Sequence, residues 1–61
     1  MLKPIYITFL DERSDVDFQV IPASSQENAH DIFISMPSNV DYRILNISNS
    51  PPTLDELMRA A

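Results

Sequence analysis

The chain contains no glycine in its 61 residues, and that absence restricts its backbone more than any residue it does contain. Glycine takes positive φ at no steric cost and lets a main chain pass close to a phosphate. Without it there is no P-loop, no glycine-rich dinucleotide fingerprint and no glycine-flanked serine elbow. Two-residue hairpins of the primed types, which need left-handed residues at their tips, also become hard to build. Hairpin loops of three to five residues around type I turns are expected instead, with Asn or Asp at any left-handed position.

Cysteine is absent too, which removes disulfides, thiolate zinc sites, iron–sulfur ligation and thiol catalysis. A domain of this length buries only about 60% of the surface its unfolded chain exposes. Chains below about 70–80 residues commonly rely on a disulfide, a metal or a partner subunit. Residues 1–61 therefore make one small domain, for which a homo-oligomer or a tight complex is expected.

Nine carboxylates against four Lys and Arg give a net charge of −5. Lys3, Arg13, Arg43 and Arg59 are too few and too scattered to neutralise a phosphate backbone, so direct nucleic-acid binding is disfavoured. Another protein with a basic surface is the expected partner, because complementary charge speeds encounter. No window approaches the ~18 apolar residues that would span a bilayer. The apolar start of the chain carries Pro4, and Asp11-Glu12-Arg13 stand where a leader peptide would need small residues. It reads as a strand, and a cytoplasmic protein without membrane association is expected.

Residues 5–10 are β-branched and aromatic, apolar on both faces, and open after Pro4. Residues 11–15 form a polar turn. Residues 16–21 alternate cleanly, with Val16, Phe18 and Val20 opposite Asp17 and Gln19, and Pro22 ends the run. Ser24 and Glu27 have the spacing of a capping box, for one or two helical turns or an irregular loop. Residues 31–36 read as a third strand, with Ile32, Ile34 and Met36 opposite Phe33 and Ser35. A turn over Pro37-Ser38-Asn39 follows, with Asn39 as the natural left-handed residue. Residues 41–47 read as a fourth strand, with Tyr42, Ile44 and Asn46 opposite Arg43, Leu45 and Ile47. At the end, Thr53 is an N-cap candidate, Asp55 and Glu56 suit a helix start, and Leu54, Leu57, Met58 and Ala61 fall on one helical face. The expected fold is α+β: a small, mainly antiparallel four-stranded sheet with one short C-terminal helix. Such a sheet has more apolar face than one short helix can cover.

The residues that could carry chemistry are sparse. His30 is the only histidine; a neighbouring Asp31 and two nearby serines do not supply the spatial alignment of a catalytic triad. Four carboxylates crowd residues 11–17, but Arg13 sits among them and the central glycine of a calcium loop is missing. A solvated hairpin turn is the plainer account. No catalytic, metal-ligating or cofactor-binding residue emerges, and no cofactor is expected. A non-enzymatic binding protein is expected instead, a small acidic inhibitor or regulator that occupies a partner's surface. That surface can itself be one that binds nucleic acid, since carboxylates spaced along a strand resemble a row of phosphates. By analogy, phages and mobile elements direct small accessory proteins of this kind at host machinery. Glu12, Asp15 and Asp17 are the candidate acidic contact, and Leu54, Leu57 and Met58 the candidate docking helix. The alternative is a homo-oligomeric subunit holding a small ligand, such as a nucleotide, where basic residues of several copies converge at the subunit seam.

Overall fold

The computed structural model describes residues 1–60. Strand β1 (Lys3–Leu10) pairs antiparallel with β2 (Val16–Ala23), helix α1 (Gln26–Ser35) follows, and a 3-10 turn (Pro37–Asn39) leads into strand β3 (Arg43–Ser48). Helix α2 (Leu54–Ala60) closes the chain. The sheet has the order β2-β1-β3 with both neighbours antiparallel to β1. β2 and β3 consequently run parallel to each other with β1 between them, and α1 bridges the two.

The hairpin follows from the missing glycine. Residues 11–15 join β1 to β2; the Ser14 N–H donates to the Asp11 carbonyl and the Asp11 N–H to the Asp15 carbonyl, each at 2.9 Å. The left-handed position falls to Ser14, with φ 65°, rather than to an Asn or Asp. Asp11 compensates with its side chain: Oδ1 accepts from the backbone N–H of Arg13 and of Asp15, both at 2.9 Å.

β1 is apolar on both faces because it is the central strand. Ile5, Ile7 and Phe9 are buried on the side of α1, with Ile21 and Ala23 of β2 and Ala29 and Phe33 of α1. Phe9 makes a tilted contact with Phe33 at 5.4 Å and stacks on Tyr42 at 4.6 Å between ring centroids. Pro4 lies opposite Pro22, where the ladder with β3 has already ended at the Tyr6–Ser48 pair. A proline lacking its N–H is tolerated at that end because no third strand is waiting for the bond.

The four expected strands are three, and the expected third strand is the second half of α1. Residues 31–36 carry two periodicities at once. Ile32, Ile34 and Met36 alternate as in a strand, whereas Ala29, Ile32, Phe33 and Met36 fall at i, i+3, i+4 and i+7. The helical stripe prevails: Ala29 and Phe33 are buried, Ile32 and Met36 pack against them, and Ile34 is left exposed. A short apolar run is ambiguous between the two periods, and packing against the sheet decides it.

Three local features also differ from expectation. The N-cap of α1 is Ser25, whose Oγ accepts from the Asn28 N–H at 3.0 Å; Ser24 stands one place too early and donates its N–H to Asn28 Oδ1 at 3.2 Å. β3 carries a bulge: Ile7 faces Ile47 and Phe9 faces Ile44, with the register shifting between Thr8 and Phe9. One extra residue brings Ile44 and Ile47, which strict alternation puts on opposite faces, to the same face. Asn39 is not left-handed, since Ser14 alone has positive φ among the described residues. It is buried instead, and its Nδ2 donates to the Phe33 carbonyl at 3.1 Å. That carbonyl belongs to the last turn of α1, where its only backbone donor is the Met36 N–H at 3.3 Å.

Candidate functional site

Both site groups expected from the sequence lie on described residues. The first is the hairpin. Glu12, Asp15 and Asp17 are all exposed. Arg13 Nε lies 3.8 Å from Asp15 Oδ2, both side chains being largely in solvent, and such a pair contributes little. Asp17 Oδ1 accepts from the Phe18 N–H at 2.8 Å. Of the carboxylates at this end, Asp11 is committed to the turn, and Glu12 and Asp15 project from its tip.

The sheet adds one residue that sequence spacing did not associate with the hairpin. β3 enters at Arg43, opposite Leu10, and Leu10 is opposite Val16. Asp41, two residues before Arg43, is therefore brought to the same end of the sheet as Asp11, Glu12, Asp15 and Asp17. Five of the nine acids gather there with Arg13 and Arg43 as the accompanying bases. Lys3 pairs with Ala23 at the opposite end, about 23 Å away at 3.3 Å per residue. The four bases do not converge within one copy.

The second group is α2. Thr53 caps it as expected: its Oγ1 accepts from the Glu56 N–H at 3.1 Å. Arg59 Nη2 reaches Asp55 Oδ2 at 3.0 Å, one helical turn back. Leu57 is half-buried, while Leu54 and Met58 are 73% and 68% exposed. The helix meets β2 and touches other elements only marginally. Two of the three predicted docking residues thus lie open, and the third is half-buried. Ala61, the last residue of the predicted stripe, lies outside the described residues.

His30 lies on α1, half-exposed, with Nδ1 3.6 Å from Asp31 Oδ1. Ser25, its nearest serine candidate, is occupied as the helix cap. No group of three or more His, Asp or Glu side chains arranged to hold a metal ion occurs among the described residues. No helix among them is long and apolar enough to cross a membrane.

The sheet face away from α1 was not singled out as a site in the sequence. By register it carries Tyr6, Thr8 and Leu10 of β1 and Val16, Phe18 and Val20 of β2. Tyr6 and Phe18 make a tilted contact at 6.3 Å between centroids. Phe18 is 38% and Val20 49% exposed. The clean alternation of residues 16–21 was the available signal.

No family model, curated protein or solved structure matches this chain. The fold and the surface together define its class: a small acidic α+β protein with a three-stranded antiparallel sheet and two helices.

Proposed function

We propose that this chain is a non-enzymatic binding protein that occupies a basic surface on another protein, as a small inhibitor or regulator would. The observation that carries the proposal is the gathering of Asp11, Glu12, Asp15, Asp17 and Asp41 at one end of the sheet. Four of these are exposed, Asp11 being the half-buried one. A carboxylate-rich end on a chain of net charge −5 favours encounter with a positive surface. Glu12, Asp15 and Asp17 form the contact, and Leu54 and Met58 on the lightly held α2 supply apolar anchors. The basic surface of a nucleic-acid-handling protein fits this chemistry.

Native mass spectrometry of the untagged chain, isolated gently from the cells that make it, tests the proposal first. A heterocomplex is expected, and its mass identifies the partner. Titration of that partner with the Glu12→Gln, Asp15→Asn, Asp17→Asn triple variant then follows. Three exposed charges contributing about 0.2–1 kcal/mol each predict a loss of affinity of about tenfold and a shallower salt dependence. An unchanged affinity with an unchanged salt dependence refutes the acidic contact.

A further inference from the structure

We infer that the partner contributes an extended segment, alternating basic and apolar residues, that pairs with the open edge of β2 as a fourth strand. The inference deepens the acidic contact proposed above and rests on it for the charge of the partner. Its own basis is the backbone. The turn sets the phase of the hairpin, because the Asp11 N–H donates to the Asp15 carbonyl at 2.9 Å. Asp15 thus turns its carbonyl towards β1, and alternation carries the backbone groups of Asp17, Gln19 and Ile21 the same way. Those of Val16, Phe18, Val20 and Pro22 point outwards, where β2 has no neighbouring strand. Pro22 fits this phase, since the N–H it lacks would have faced outwards.

Among the described residues, the Phe18 N–H is the one outward group that is bonded, to Asp17 Oδ1 at 2.8 Å. The Val16 and Val20 N–H groups and the outward carbonyls have no partner. Helix α2 meets β2, yet Asp17, Phe18, Val20 and Pro22 all stay exposed, so the helix leaves this edge open. The opposite edge suits pairing less well. β3 has six residues against the eight of β2, its register shifts between Thr8 and Phe9, and it carries Arg43 and no carboxylate. A bulge blunts an edge against strand addition, whereas β2 is in regular register along its whole length.

Charge selects the occupant. Glu12, Asp15 and Asp17 stand exposed along the start of this edge. A second copy pairing there would set carboxylates beside carboxylates, which is unfavourable across strands. A Lys or Arg opposite Asp17 forms an ion pair instead, and apolar residues on either side of it meet Val16, Phe18 and Val20 on the other face. The incoming strand's carbonyl takes the Phe18 N–H, which frees the Asp17 carboxylate for that ion pair. Backbone bonds supply the attachment, and the alternating side chains supply the selectivity.

Two capped octapeptides, titrated into the isotope-labelled full chain and followed by NMR, test this. One alternates Lys and Val; the other has the same composition in two blocks, all Lys and then all Val. The charges are equal, and only the first makes a strand with one basic and one apolar face. It is expected to bind about tenfold more tightly, from about three favourable cross-strand pairs, and to slow solvent exchange of the Val16, Phe18 and Val20 amides. Val20→Pro removes an outward N–H, as Pro22 already does, and is expected to weaken the alternating peptide severalfold with an unchanged far-UV circular dichroism spectrum. If that variant does not fold, amide exchange in the unmodified chain decides the matter. Equal binding of the two peptides, with no amide protected, overturns the edge and leaves the acidic contact standing. Absence of binding by either peptide at low salt also overturns it, while the acidic contact is still judged on the isolated partner. Protection that the Glu12→Gln, Asp15→Asn, Asp17→Asn variant leaves unchanged overturns the basic segment together with the acidic contact.

Discussion

Asn39 is the residue at which a single side chain joins three parts of this fold. Its Nδ2 donates to the Phe33 carbonyl at 3.1 Å and lies 3.4 Å from Met36 Sδ. Its amide also exchanges two long contacts with Gln19 of β2, at 3.4 and 3.5 Å. Replacing Asn39 by Ala removes one well-formed buried hydrogen bond, a net loss of about 1 kcal/mol. The Phe33 carbonyl then keeps only the Met36 N–H, at 3.3 Å. Leaving it underbonded beside a small void adds about another 1 kcal/mol. The contacts with Gln19 lie at the outer limit of hydrogen bonding and add little. The sum is about 2 kcal/mol, against the ~3–5 kcal/mol that a core of this size supplies. At about 4–8 °C per kcal/mol, the melting temperature falls by about 8–16 °C. Thermal and urea unfolding followed by circular dichroism measure the loss. Asn39→Asp keeps the shape but replaces the donor with an acceptor facing a carbonyl, and is expected to cost at least as much. Gln19→Ala is the control, expected within about 0.5 kcal/mol of the parent. If Asn39→Ala also lies within that margin, the buried amide does not tie the end of α1 to the sheet, and the reasoning fails.

Two further substitutions address the loops. Ser14→Gly relieves a left-handed residue that carries a Cβ, and is expected to stabilise by about 0.5–1 kcal/mol after the greater freedom of glycine in the unfolded chain is deducted; destabilisation in urea melts would contradict the role of Ser14 in the turn. Ser25→Ala is expected to cost about 1 kcal/mol through loss of the N-cap of α1, while Ser24→Ala, which keeps the backbone bond to Asn28, is expected to be near neutral. A reversal of that order in the same melts would return the cap to Ser24.

Much of this protein was legible from local chemistry. The missing glycine dictated a longer hairpin loop, and residues 11–15 provide one. β-branched content marked the first two strands, although Pro4 and Pro22, read as their limits, lie inside β1 and β2, and the spacing of Thr53 to Glu56 marked the cap of α2. Glu12 and Asp15 were recognisable as exposed turn residues by type and position alone. Each of these depends on interactions within a few residues, which a sequence displays directly.

What the tertiary structure alone decided involves groups far apart in the chain. Residues 31–36 fit a strand and a helix equally well until Phe33 finds Phe9 across the layer, and burial of that ring selects the helix. The bulge in β3 shifts the phase of Ile44 and Ile47 because both must meet the one face that α1 covers. Asn39 reads as a turn residue by type and becomes a buried cap because the Phe33 carbonyl at the end of α1 has only the long Met36 N–H bond and takes a second donor. Asp41 joins the acidic end only through the pairing of β3 with β1. Local propensities differ by a few tenths of a kcal/mol per residue, whereas burying one aromatic ring contributes several times that. Where the two compete, the long-range contact sets the structure.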